Sequence, residues 1–116
     1  MRPGTRISDG VEIGNFTEVS RTSIGRGVFQ KHFSFLGDAT LGEGANIGAG
    51  VVTANFDGVN KNKIFIGAKA FIGSNAVLVA PNRIGAGALV GAGCVVAKGT
   101  DIPAGTVAVE IGKSVV

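Results

Sequence analysis

Residues 66–108 read IGAKAFIGSNAVLVAPNRIGAGALVGAGCVVAKGTDIPAGTVA, and this stretch determines the fold. Every sixth residue in it is aliphatic or small: Ile66, Ile72, Leu78, Ile84, Val90, Val96, Ile102 and Ala108. A second small residue stands four places after most of these: Ala70, Ala76, Ala88, Cys94, Thr100 and Thr106. A six-residue period fits neither a helical stripe of about 3.6 residues nor plain strand alternation. It is typical of a hexapeptide-repeat parallel β-helix.

The side chains explain this period. Each hexad forms one flat face, and three faces close a triangular coil whose narrow interior accepts one aliphatic and one small residue. Glycine relieves crowding at the turns and can take a positive φ. One coil cannot bury its own apolar face, so coils must stack. At roughly 18 residues per coil, we predict an all-β domain over residues 1–116 with about six coils.

The same frame extends towards the N-terminus with interruptions. We assign inward positions to Ile7, Ile13, Val19, Ile24, Phe29, Phe35, Leu41, Ile47 and Thr53. The spacing from Val19 to Ile24 to Phe29 is five, which predicts a bend or compressed corner within residues 20–34. Thr53 and Ile66 are thirteen positions apart where one hexad needs six. The extra residues lie in 54–63, where Asp-Gly and a polar cluster predict an exposed loop.

Composition limits the possible functions. The chain has 116 residues, a net charge of +3 and no Trp or Tyr. Its Lys and Arg residues are scattered, which disfavours a nucleic-acid footprint. It contains no long apolar run for a membrane span and no signal peptide, so we expect a cytoplasmic protein without a membrane partner. The single cysteine, Cys94, occupies a small-residue slot and is expected to pack rather than react.

Few residues could perform chemistry. His32 is the only histidine, and it lies outside the inward frame in the sequence Gln-Lys-His-Phe-Ser-Phe. Imidazole accepts a proton near neutral pH, so His32 is a candidate general base. Glu18, one coil earlier, is a candidate to orient the ring, although it could equally be a solvated surface residue. One histidine cannot form a three-histidine zinc site, so we expect no catalytic metal.

Two segments resemble a known family. They are the stretch from His32 to Gly50, His-Phe-Ser-Phe-Leu-Gly-Asp-Ala-Thr-Leu-Gly-Glu-Gly-Ala-Asn-Ile-Gly-Ala-Gly, and the loop Ala54-Asn-Phe-Asp-Gly-Val-Asn-Lys61. Phe71-Ile-Gly-Ser-Asn and Leu78-Val-Ala-Pro continue the likeness. Together they resemble the acetyltransferase domain of the bifunctional N-acetylglucosamine-1-phosphate uridylyltransferase/glucosamine-1-phosphate N-acetyltransferase. No Gly-rich nucleotide loop is present, so uridylyl transfer is not expected.

The resemblance implies a left-handed coil and a homotrimer with active sites between subunits. It implies acetyl transfer from acetyl-CoA to the amine of glucosamine-1-phosphate, with His32 as general base and without a covalent intermediate. It places the chain in the synthesis of a UDP-N-acetylglucosamine cell-wall precursor. By position, the sugar-phosphate contacts are Arg2, Asn46 and Lys61, and the acetyl-CoA contacts are Ala49, Asn55, Phe56, Ser74 and Ala92.

The chain departs from the family pattern at several of these positions. Phe35 and Phe56 stand where the family has tyrosines, and Ser20 stands where it has a phosphate-binding lysine. The adjacent Arg21 is our candidate replacement for that lysine. Ile111 replaces a CoA-binding arginine, and Lys113 is the candidate to compensate. Two alternatives therefore stay open: an acyltransferase for a different amine, and a non-catalytic trimeric scaffold.

Overall fold

A computed structural model describes residues 1–109, which form a solenoid of short strands joined by tight corners. In chain order the strands are β1 (Arg6–Ile7), β2 (Glu12–Ile13), β3 (Thr17–Ser20), β4 (Ser23–Ile24), β5 (Phe29–Gln30), β6 (Ser34–Gly37), β7 (Ala39–Leu41), β8 (Asn46–Ile47), β9 (Val52–Ala54), β10 (Ile64–Ile66), β11 (Phe71–Ile72), β12 (Val77–Val79), β13 (Asn82–Ile84), β14 (Leu89–Val90), β15 (Val95–Val96), β16 (Asp101–Ile102) and β17 (Val107–Ala108).

Every third strand belongs to the same parallel sheet. Sheet A contains β1, β4, β7, β10, β13 and β16, and sheet B contains β2, β5, β8, β11, β14 and β17. Sheet C contains β3, β6, β9, β12 and β15. Each strand pairs only with the strands one coil above and one coil below. The prediction of an all-β solenoid of about six coils is confirmed, and the left-handed winding and the 1–116 domain boundary stay predictions.

The inward frame predicted for the second half of the chain is confirmed. The residues of 66–96 that were predicted to point inward are nearly inaccessible: Ile66, Ala70, Ile72, Ala76, Leu78, Ile84, Ala88, Val90, Cys94 and Val96. Ile102 is only partly buried, because its coil lies at the end of the described stack. The repeated apolar pair therefore forms a continuous core along the solenoid axis.

Glycine performs two separate tasks at the corners. A Cβ on Gly48 would lie 2.7 Å from the Ser74 backbone nitrogen, and one on Gly73 would lie 2.6 Å from that of Ala92. These glycines therefore permit close approach of the next coil. Gly93, two places after Gly91, instead has φ +72°, a conformation that favours glycine.

The inward frame predicted for the first half is wrong at two positions. Phe29 and Phe35 face outward, and the inward side chains are Val28, Gln30 and Leu36, each 0% exposed. A phenyl ring is too large for the narrow interior. The shortened corners are accordingly Val19 to Ile24 and Leu36 to Leu41, so the predicted compression within residues 20–34 is correct only at its start.

The inserted loop is confirmed. β9 ends at Ala54 and β10 begins at Ile64, and both resume normal pairing on either side of the insertion. Within the loop Phe56 and Lys61 form an isolated antiparallel bridge. The loop therefore projects from the corner between sheets C and A without disturbing the coil.

Candidate active site

Six of the predicted site residues line one cavity of about 290 Å³ on the outer side of sheet C. They are Arg2, Glu18, Arg21, Phe35, Asn55 and Lys61, and Ser20 completes the lining. Glu18 and Phe35 are neighbours in the parallel register of β3 and β6. Positions that are far apart in sequence therefore meet because three coils stack at one corner.

Asp38 organises one wall of this cavity. It accepts hydrogen bonds from Arg21 Nε at 2.8 Å and Arg21 Nη2 at 3.0 Å, and from Asn55 Nδ2 at 2.7 Å. The Arg21 hydrogen bond and then the Asn55 amide hold the pKa of the Asp38 carboxyl below its ordinary value, against the opposing effect of burial. The ion pair uses two of the five N–H donors of Arg21. Arg21 thus enters the cavity in a fixed orientation.

The backbone of this wall is unusual. Arg21 has φ +46° and Asp38 has φ +51°, and both lie at the two shortened corners. A Cβ on Gly37 would lie 2.5 Å from Asn55 Nδ2 and 2.6 Å from the Phe35 ring. A side chain at position 37 would therefore displace the Phe35 ring and the Asn55 amide from the positions that they hold beside each other. Sequence reasoning missed Asp38. A usable signal was present, because Gly37-Asp38 lies where the spacing between the inward residues Leu36 and Leu41 shortens from six to five.

Asp57 orders the loop that carries Lys61. Its Oδ1 accepts hydrogen bonds from the backbone N–H groups of Asn60 at 2.7 Å and Val59 at 2.8 Å, and its Oδ2 accepts one from the Asn62 side chain at 3.2 Å. These contacts lower the pKa of Asp57 to about 2, the Asn60 N–H contributing most. The loop is closed further by the Asn62 N–H donating to the Asn55 carbonyl at 2.6 Å.

Arg2 and Glu18 form an exposed ion pair across the mouth of the cavity. Arg2 Nε lies 3.2 Å from Glu18 Oε2. The register places Glu18 opposite Phe35, and Phe35 is three residues after His32 in the chain. The structure thus assigns Glu18 a partner other than the imidazole, and its role in orienting His32 stays a prediction.

His32 belongs to a second group of predicted residues. It is exposed at the corner between sheets B and C, and the corners above it place Ala49, Ser74 and Ala92 in one column. Hydrogen bonds tie the column together: the Asn75 N–H donates to the Ala49 carbonyl at 2.8 Å, and the Gly93 N–H donates to the Ser74 carbonyl at 2.8 Å. The predicted base and three predicted acetyl-CoA contacts therefore share one edge.

The backbone amides of that edge are available. Within residues 1–109, the N–H groups of Ala49, Ser74 and Ala92 donate no hydrogen bond to backbone carbonyls. The same is true of middle residues at other corners, such as Ala68. An available column of N–H donors is therefore a property of the fold, and His32 distinguishes this edge from the others.

The remaining predicted residues lie elsewhere. Asn46 is half-buried on the outer face of sheet B, beside Phe29 and Phe71 in the register. Phe56 is 57% exposed in the loop and does not line the cavity. Lys113 and Ile111 lie outside the described residues.

A larger hollow of about 380 Å³ lies on sheet A, and none of the predicted site residues line it. Its lining includes Phe65 and Arg83, whose guanidinium lies 4.7 Å from the Phe65 ring centroid. In residues 1–109 no group of three or more His, Cys, Asp or Glu is arranged to hold a metal ion. The same residues contain no helix with the length and apolarity of a membrane span.

The chain is similar to one part of longer curated proteins. The chain is 48% identical over all 116 residues to the bifunctional protein GlmU of Symbiobacterium thermophilum, of which it spans 25%. The chain is a relative of the GlmU acetyltransferase domain. GlmU of Rhizobium rhizogenes is 52% identical over 70 residues, which are 60% of this chain and 16% of that protein. The chain thus spans a quarter or less of these GlmU proteins, and no family profile matches it.

Solved structures share the fold. The GDP-perosamine N-acetyltransferase of Caulobacter crescentus, in complex with CoA and GDP-perosamine, superposes with a TM-score of 0.71 at 23% identity. That match covers 95% of this chain and 52% of the other. The acetyltransferase domain of PglB from Neisseria gonorrhoeae, in complex with acetyl coenzyme A, gives a TM-score of 0.70 at 22% identity, over 93% of this chain and 52% of that one. At these identities the likeness shows the fold alone.

Proposed function

We propose that the chain is an N-acetyltransferase that moves the acetyl group of acetyl-CoA to the amine of an amino sugar phosphate, glucosamine-1-phosphate being the first candidate. The observation that carries the proposal is the cavity on sheet C, which gathers Arg2, Arg21 and Lys61. Guanidinium and ammonium groups are the usual protein ligands of a phosphate. The relationship to GlmU supports the choice of an amino sugar.

His32 is the proposed general base. The amine nitrogen attacks the thioester carbonyl carbon, the C–S bond breaks, and the proton lost from nitrogen passes through His32 to the departing CoA sulfur. The sequence of these events requires no covalent bond to the enzyme. His32 lies in the bend immediately before β6 and Phe35 lies within β6, so the chain between their Cα atoms spans at most roughly 10 Å. A sugar phosphate held at the cavity therefore extends towards His32.

The column of corner amides is the proposed binding edge for acetyl-CoA. Carbonyl groups of an extended cofactor arm can accept hydrogen bonds from the N–H groups of Ala49, Ser74 and Ala92, which the coil leaves available. Backbone N–H groups near His32 would also stabilise the oxyanion that forms when the amine attacks. The rate enhancement would then come from positioning two substrates along one edge.

A homotrimer with sites between subunits is part of the proposal. Sheets B and C meet at the His32 corner, and both expose apolar side chains on their outer faces. Phe71 and Leu89 of sheet B are 47% and 39% exposed, and Val52 and Val95 of sheet C are 40% and 46% exposed. Apolar faces on both sides of one corner favour coverage by neighbouring copies. We place this assembly in the cytoplasm.

A different amine acceptor is the second candidate. Phe35 and Ser20 line the cavity where the family has a tyrosine and a lysine, and Ser20 is only 3% exposed. These replacements remove a phenolic donor and a cation from the phosphate site. They favour an acceptor with fewer phosphate contacts, such as an unphosphorylated amino sugar.

The test is release of free thiol from acetyl-CoA in the presence of glucosamine-1-phosphate, compared with the same chain carrying His32→Ala. Turnover that His32→Ala abolishes supports the proposal. A parallel panel of amino sugars with and without phosphate identifies the preferred acceptor. Turnover that is highest with another amine replaces the first candidate by the second.

Calorimetry with acetyl-CoA separates the remaining outcome. A folded trimer that binds acetyl-CoA but acetylates none of the acceptors would limit the proposal to cofactor binding. A folded chain that binds no acetyl-CoA would refute it and favour a non-catalytic scaffold. A monomer by light scattering would refute sites shared between subunits.

A further inference from the structure

The corner that carries His32 differs from its neighbours in the stack. At the regular corners of residues 1–109, the N–H of the third corner residue donates to the carbonyl of the middle corner residue one coil below. Asn75 to Ala49, Gly93 to Ser74 and Gly44 to Arg26 follow this rule, each at 2.8 Å. Gly50 breaks it, because its N–H donates to the Phe33 carbonyl at 2.7 Å and leaves the His32 carbonyl to another donor.

The backbone of Phe33 accounts for the change. The third residues of the other corners between sheets B and C have positive φ, namely Phe16 at +59°, Gly50 at +76°, Asn75 at +60° and Gly93 at +72°. Phe33 does not share this conformation. The corner that presents His32 therefore follows a different path from the regular turn.

Two buried polar side chains support this different path from inside the coil. The Ser34 hydroxyl donates to the His32 carbonyl at 3.1 Å, and Gln30 Nε2 donates to the Ser34 hydroxyl at 2.9 Å. The carbonyl that the next coil does not engage is thus bonded by its own strand. Gln30, Ser34 and the His32 carbonyl form a chain of two hydrogen bonds.

Glutamine is an energetically unfavourable residue at position 30. It is 0% exposed and fills an inward slot that the coils on either side give to Ile13 and Ile47. Its Oε1 finds no hydrogen-bond partner among residues 1–109. A buried polar atom without a hydrogen-bond partner destabilises a fold. Stability therefore does not account for glutamine in a slot that isoleucine fills in neighbouring coils.

We propose that Gln30 and Ser34 are positioning residues that fix the His32 corner for catalysis. This inference rests on the proposed function for its kinetic consequence, but not for its structural one. The two side chains act in series on the His32 carbonyl, and they do not touch a substrate. Their loss should leave the coil intact and misplace the imidazole.

Gln30→Met and Ser34→Ala test the proposal. Methionine matches glutamine in length and suits an apolar slot, so both variants should fold. A misplaced catalytic group costs about tenfold to a hundredfold in rate, so kcat should fall by about that factor with KM for both substrates nearly unchanged. Because the residues act in series, the double variant should be no slower than the slower single variant.

Two matched controls are available in the same fold. Ser34→Thr keeps the hydroxyl, and its register neighbour one coil below is Thr17. It should retain kcat within a factor of about two. Ile47→Met makes a comparable core change in the next coil without touching the hydrogen-bond chain. A loss of kcat in Gln30→Met no greater than in Ile47→Met overturns the proposal.

A spectroscopic readout is independent of acetyl transfer. His32 is the only histidine in the chain, so its imidazole Hε1 gives a single NMR resonance that requires no assignment. Gln30→Met and Ser34→Ala should each shift that resonance, whereas Ile47→Met should not. An unchanged resonance in both variants overturns the proposal. Absence of acetyl transfer by the wild-type chain would refute the proposed function but leave this test decisive.

Discussion

Asp38→Asn isolates the charge that organises the cavity wall. The Asp38 side chain is 11% exposed. Its Oδ2 accepts two of its three hydrogen bonds, from Arg21 Nη2 and Asn55 Nδ2. Asparagine has nearly the same shape, and it tolerates the φ of +51° at this position. The substitution therefore replaces one acceptor oxygen by a donor without adding backbone strain.

The expected loss follows from those contacts. A hydrogen bond to a charged group contributes about 1.5–3 kcal/mol, and asparagine retains one acceptor for Arg21 Nε. The Arg21 side chain is 42% exposed, so solvent weakens its share of the interaction. We expect the free energy of unfolding to fall by about 2 kcal/mol.

Urea unfolding followed by circular dichroism measures this value, because the chain has no Trp or Tyr for fluorescence. Protomer concentration is held fixed, since assembly contributes to apparent stability. A carboxyl whose pKa is lowered stabilises the fold above its unfolded pKa and loses that effect as the pH falls. The difference between wild type and Asp38→Asn should therefore be complete at neutral pH and shrink below about pH 4. A difference of less than about 0.5 kcal/mol, or one independent of pH, would refute the reasoning.

Four further outcomes are expected. His32→Ala should lower kcat by about 10²–10⁴-fold while calorimetric acetyl-CoA binding persists, and near-wild-type kcat would exclude His32 as the base. Lys61→Ala should raise KM for a phosphorylated acceptor about tenfold to a hundredfold but not KM for acetyl-CoA, and equal effects on both would contradict a phosphate contact. Asp57→Ala should expose the Val59 and Asn60 amides to rapid hydrogen exchange. In the wild type, the stabilisation that the ionised Asp57 carboxylate gives to the loop is complete above about pH 4 and is lost as the pH falls through about 2. Leu78→Ala should cost about 2–5 kcal/mol in urea unfolding, and a loss below about 1 kcal/mol would contradict its fully buried position.

The repeat predicted the fold well where it was regular. Ile66, Ile72, Leu78 and Ile84 are inward because the period of six sets which side chains share the axis. The frame failed where two corners are one residue short, since an alignment of hydrophobic residues then favoured Phe35 over its buried neighbour Leu36. Ring size decides such a case, and a pattern that counts only hydrophobicity does not include it.

The candidate site was predictable in its parts but not in its supports. Several residues that the family resemblance identified lie together in the sheet C cavity, because the stacking of coils brings Arg2, Arg21 and Lys61 to one corner. Asp38, Gln30 and Ser34 were missed, because their roles consist of contacts between side chains of adjacent strands and corners. Such contacts depend on register, which was wrong in that part of the chain.

The register across the inserted loop has a consequence for how the protein can change. Ile64 pairs with Ala39 below and Asn82 above as though the seven additional residues were absent. The length of a corner segment is thus independent of the geometry of the coil, since each strand is held by the strands of the coils on either side of it. A segment at this corner can be lengthened, shortened or exchanged with a related protein while the axial core stays the same. Selection can therefore alter the surface that the loop presents without first relaxing the stability of the scaffold that carries it.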